Sequence, residues 1–128
     1  MPSIGKDVLA ALIAEQVRLE ERIGELRSSP HQTLLAGKAF LAFAARQEEA
    51  LAVLSSLLDP VVQAEMRAEH EQIGEDLELL EWLLETTPES PDVAVLTLSL
   101  IRRMRQRVDR DSRLLARAAA LRLRNSEL

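Results

Sequence analysis

Met66, His70, Ile73, Leu77, Leu80 and Leu84 recur at spacings of 4, 3, 4, 3 and 4. Such a stripe is the seam of a helix packed against other helices, and it leaves few folds open to the chain. A histidine stands within it. A buried polar group left without partners costs about 1–3 kcal/mol, so other helices must supply groups for His70 to bond.

Composition narrows the class further. The chain has 128 residues, enough for one domain with a real core, and its 47% apolar content is mostly Leu and Ala. Only 2% is aromatic and Tyr is absent, while Leu, Ala, Glu and Arg favour helix over strand. The expected class is all-α. With no cysteine there are no disulfides, thiolate metal sites or thiol nucleophiles. No apolar run approaches the roughly 20 residues of a membrane span, and the N-terminus lacks a signal-peptide pattern, so the expectation is a cytoplasmic protein without a membrane partner.

The rest of the chain repeats the same pattern. Leu9, Leu12, Gln16, Leu19, Ile23 and Leu26 form a first seam, predicting a helix over 7–28 with Asp7 as its cap. Ser29-Pro30-His31-Gln32 reads as a helix start, Ser29 capping, Pro30 in the first turn and Gln32 completing a capping box. The second helix, 30–58, would bury Leu34, Phe40, Leu41, Phe43, Ala44, Leu51, Leu54 and Leu58, with Glu48 on or beside the seam. Asp59-Pro60 opens a third over 60–86, and Ser90-Pro91 a fourth over 91–124, whose seam is Ile101, Met104, Val108, Asp111, Leu115 and Ala118. Short turns between long amphipathic helices predict an up-down-up-down antiparallel four-helix bundle across 1–128.

Each seam has one main polar interruption: Gln16, Glu48, His70 and Asp111. Measured from the turns at one end, Gln16 lies roughly 20 Å down the bundle, Arg107 about 24 Å, Glu48 and His70 about 27 Å, and Asp111 about 30 Å. All five belong to one layer. In one reading His70, Glu48 and Asp111 hold a metal, since imidazole and carboxylate suit iron, manganese or zinc. In the preferred one Arg107 pairs with Glu48 and Asp111, while His70 and Gln16 complete a hydrogen-bond network.

These residues give the chain a resemblance to the hemerythrin-like (HHE) bundle family over essentially its whole length. That family places one His on helix one, His-x3-Glu on helix two, one His on helix three and His-x3-Glu/Asp on helix four, around a di-iron centre that binds or senses dioxygen. Ala68-Glu69-His70-Glu71-Gln72-Ile73 is similar to its Glu-His-x-x-Ile segment. Ala44-Ala45-Arg46-Gln47-Glu48-Glu49 resembles His-x3-Glu-Glu, with Ala44 in the histidine position and Glu48 as the carboxylate. Arg107-Val108-Asp109-Arg110-Asp111 keeps Asp111 and puts Arg107 where the histidine would stand. On helix one the histidine position falls to Gln16 or, by a weak repeat of Ile23-Gly24-Glu25 in Ile73-Gly74-Glu75, to Glu20. The chain holds only two histidines, so the family's five-histidine site cannot be assembled. A ferritin-type site fails too, because Arg67 stands three before His70.

The remaining features point to surfaces. Nine arginines lie between Arg102 and Arg124, but helix three carries a matching acidic series, and no aromatics interleave the arginines for base stacking, so no nucleic-acid partner is expected. Leu79, Trp82 and Leu83 project away from the helix-three seam and suggest a homodimer contact. His31 reads as a solvated residue at a helix start. Ser28, Ser29 and Ser90 have no base in view, Glu48 and Glu49 diverge on a helix, and no glycine-rich phosphate loop exists. The expected function is therefore a non-enzymatic binding or regulatory bundle with a degenerate metal site and no cofactor, acting on a protein partner or a second copy of itself. The alternative is a reduced metal site of His70, Glu48 and Asp111 that senses or stores iron or another divalent cation.

Overall fold

The structure, a computed structural model, describes residues 6–53 and 59–127, with side chains for 8–53 and 59–121. Four helices account for nearly all of it: α1 (Lys6–Gly24), α2 (Pro30–Val53), α3 (Pro60–Thr86) and α4 (Pro91–Glu127). No strand occurs among the described residues.

Local chemistry sets the helix ends. The Val61 amide donates to Asp59 Oδ1 at 2.9 Å and the Asp92 amide to Ser90 Oγ at 3.2 Å, so both expected caps operate. Ser29 Oγ accepts from the Gln32 amide at 3.3 Å, the cap half of the expected box. Asp7 lies inside α1 and does not cap it. α1 also stops at Gly24, short of residue 28. Glycine is a poor helix former, and Arg105 Nη2 of α4 donates to the carbonyls of Gly24 and Leu26 at 3.3 and 2.7 Å, satisfying acceptors that the helix leaves open. The seam read through to Leu26 because Leu26 stays buried in the turn. α4 continues to Glu127, past the expected 124. The last part expected for α2, with Leu54 and Leu58, lies outside the described residues.

Cross-helix pairs give the topology. Leu77, Gly74 and His70 of α3 meet Gly37, Leu41 and Glu48 of α2, so numbers fall on one helix as they rise on the other. Asp76 and His70 meet Arg103 and Asp111 of α4 in the same sense. Neighbouring helices are therefore antiparallel. α1 packs on α2 and α4, α3 packs on α2 and α4, and α2 also touches α4 across the short diagonal. The buried face of α2 carries small residues, Ala36, Gly37, Ala44 and Ala50, that let neighbouring helices come close. Leu77 lies so close to Gly37 that a methyl group there would clash with its side chain.

The core is one apolar cluster through all four helices, including Ile23, Phe40, Ile73, Leu80, Leu100 and Met104, with Leu51, Met66 and Ala118 as a second cluster. Each such large side chain contributes roughly 1.5–3 kcal/mol on burial. Of the residues expected in the α2 seam, Phe40, Phe43, Ala44 and Leu51 are buried, while Leu34 and Leu41 are only partly so; Thr33, Ala36, Gln47 and Ala50 join the buried face instead. Leu83 is also a correction. It lies 9% exposed in the core and not on the outer face, because its flank of α3 bears on α4, as the Asp76–Arg103 pair on the same flank shows.

Candidate functional site

All four helices contribute polar side chains to one level of the core. His70 on α3 is 4% exposed and sits at its centre. Its Nδ1 lies 2.9 Å from Glu48 Oε1 on α2, and its Nε2 lies 2.7 Å from Asp111 Oδ2 on α4. Ionised carboxylates only accept hydrogen bonds, so a ring held between two of them carries hydrogen on both nitrogens. That species is imidazolium. Burial pulls the His70 pKa down, but the hydrogen bonds and charge of Asp111, then those of Glu48, outweigh it and leave it above the ordinary histidine value.

Arg107, one turn before Asp111 on α4, donates from Nε to the other carboxylate oxygen, Oδ1, at 2.7 Å. Asp111 is 2% exposed and Arg107 5%, so the aspartate is shared between two buried cations. Glu48 closes the chain at its wetter end, with a side chain 26% exposed. With His70 in its imidazolium form, two anions and two cations alternate and their charges cancel. Phe40 stands edge-to-face with the His70 ring, 5.5 Å between centroids and 81° between planes, and fixes one of its faces.

Two glutamines tie the layer to backbone. Gln16 on α1 donates to the Val108 carbonyl at 2.8 Å, and Gln47 on α2 to the Asp111 carbonyl at 3.2 Å. Gln16 is 3% exposed while Glu20 is half-buried, so Gln16 and not Glu20 stands within the layer. The Oε1 atoms of both glutamines have no partner among the described residues. Replacing Gln16 by Leu should therefore change stability by less than about 1 kcal/mol in urea unfolding, since its bond to Val108 and a long one to Glu20 leave together with an orphan acceptor. A loss above about 2 kcal/mol would show that the Val108 contact matters more than its geometry suggests.

The expected site residues Gln16, Glu48, His70, Arg107 and Asp111 thus meet in one layer, with pairings partly different from those anticipated. Arg107 bonds Asp111 and has no bond to Glu48 among the described residues; Glu48 bonds His70 instead. Gln16 reaches the α4 backbone and not the histidine. Gln47 was missed, although the series Thr33, Ala36, Phe40, Phe43, Gln47, Ala50 carries a seam spacing. Leucines at Leu34 and Leu41 drew attention to the neighbouring stripe. His31 is exposed at the start of α2, as expected.

The donors do not converge as metal ligands do. The two nitrogens of one imidazole point away from each other, so Glu48 and Asp111 lie on opposite edges of the ring. No group of three His, Asp or Glu side chains suited to a metal ion occurs among the described residues. Comparison of the chain with family models, with curated proteins and with solved structures gave no match.

Proposed function

We propose that this chain is a hemerythrin-like bundle in which a Glu48–His70–Asp111–Arg107 network takes the family's metal position. It works as a non-enzymatic binding or regulatory module through its surface. One observation carries the reading: both nitrogens of His70 are engaged by carboxylates on opposite sides, and Arg107 neutralises what remains of Asp111. A cation placed there would have to displace a proton from the ring and stand beside a guanidinium. The residues present do not fit the family's di-iron centre. The same engagement leaves His70 without a free nitrogen for acid–base work on a substrate.

Metal content tests the proposal. Protein purified without chelator should contain far less than one equivalent of iron, manganese or zinc and show no visible absorption. Its melting temperature should move by less than about 1 °C in excess Fe²⁺, Mn²⁺ or Zn²⁺, because a ligand bound only by the native state must raise it. Stoichiometric iron with near-ultraviolet and visible bands would sink the proposal, as would a metal-dependent rise in melting temperature abolished by His70→Ala.

A further inference from the structure

Leu79 and Trp82 stand 45% and 56% exposed on the outer ridge of α3, and Val95 is 69% exposed on α4 beside them. Between the two helices runs a groove of about 700 Å³, floored by Leu83 and Leu96 and bounded by the Asp76–Arg103 pair. Surface tryptophan and leucine around a concave apolar strip are the ordinary makings of an interface core. We propose that the α3/α4 face is a homodimer contact, its occupant a second copy of this chain related by a two-fold axis parallel to the helices.

The charge pattern selects both the partner and the axis. Exposed Glu71 and Glu75 lie on the outer ridge of α3 and exposed Arg102 on that of α4, where Arg113 is paired with Asp109 of its own helix. A two-fold axis parallel to the helices lays α3 of one copy on α4 of the other, at unchanged height. Acidic ridge then meets basic ridge twice, as an isologous contact requires. The Asp76–Arg103 pair fixes the relative height of α3 and α4, and by that register Glu75 falls within about 3 Å of the level of Arg102. The apolar strips around Trp82 and Val95 overlie each other at the same time. An in-plane axis across the helices would instead stack α3 on α3 and α4 on α4, like charge on like, which complexes avoid.

The area is adequate. α3, with 27 residues, is about 40 Å long, and two helices side by side are about 20 Å wide. The face therefore covers roughly 800 Å², near the per-partner area of a standard specific interface. This inference names a partner for the surface-acting bundle proposed above and rests on that reading. The two fail separately, because metal content answers for the His70 layer and sizing answers for the face.

Sedimentation of the full chain at about 100 μM should give a dimer that dissociates on dilution. Dissociation should also red-shift the emission of Trp82, the only tryptophan. Glu75→Arg and Arg102→Glu should each weaken the dimer by roughly tenfold, through like-charge contacts at the interface. An equimolar mixture of the two variants should recover the parent affinity as a mixed dimer, since both contacts then join opposite charges. Trp82→Glu should be monomeric with an unchanged helical circular-dichroism spectrum. A parent that stays monomeric at that concentration, or a mixture of folded variants that recovers nothing, overturns the proposal.

Discussion

Asp111→Ala should destabilise the protein by about 4 kcal/mol, the usual scale for breaking a buried ion pair by removing one partner. For a domain of this size that is roughly 15 °C in melting temperature. The reason lies in what the substitution leaves behind. Arg107, 5% exposed, loses its Nε acceptor, and His70 loses the partner of Nε2, so two buried cations face each other with only Glu48, at the wetter end, left to offset them. Glu48→Ala should cost far less, under about 1.5 kcal/mol, because water reaches the wetter end of the network and can take its place. Paired replacement separates charge from packing. Arg107→Leu added to Asp111→Leu should recover part of the loss of the single variant, since an apolar pair of suitable volume is often no worse than the ions it replaces. Equilibrium urea unfolding near pH 6 measures all four variants. An Asp111→Ala cost below about 1 kcal/mol would mean that the network is not closed as described.

How much of this was legible in the sequence depends on which residues carried a periodic signal. The helix starts were, because Asp59-Pro60 and Ser90-Pro91 join a capping side chain to a residue that tolerates only the first helical turn. The stripe through Met66 and Leu80 located the buried face of α3, and counting heights from the turns brought Gln16, Glu48, His70, Arg107 and Asp111 to one level. Pairing within the layer was legible only in part: Arg107 does pair with Asp111, but Glu48, its other expected partner, bonds His70 instead. A height estimate good to a turn cannot say whether Arg107 reaches Glu48 across the core or Asp111 along its own helix, and the i,i+4 geometry decides for Asp111. Leu83 shows a second limit. Its angle on α3 places it a quarter-turn from the seam, and whether such a flank is wet depends on the neighbour that the sequence alone does not seat. Gln47 is a third: a polar residue on a seam of small side chains gave a weaker signal than the leucines beside it.

His70→Leu should cost about 3 kcal/mol near pH 6, and the difference from the parent should shrink as pH rises. Leucine occupies nearly the volume of the imidazole, so the loss reports charge and hydrogen bonding more than a cavity; Asp111 keeps Arg107, which holds the cost below that of Asp111→Ala. The pH dependence follows from the direction of the His70 shift. Its folded-state value is raised above the ordinary 6.5, so in the window between the two the native state binds more protons than the unfolded chain. Its contribution is therefore fully present below about pH 6.5 and is lost as pH rises through the folded value. The neutral ring explains the loss in structural terms. With one N–H it can donate to Glu48 or to Asp111, and the remaining nitrogen lone pair then faces a carboxylate. Unfolding free energies measured from about pH 6 to about pH 9 should fall for the parent and stay nearly level for His70→Leu. Parallel profiles for the two proteins would mean that His70 enters the folded core neutral, and that the charge-balanced network proposed in place of a metal centre is wrong.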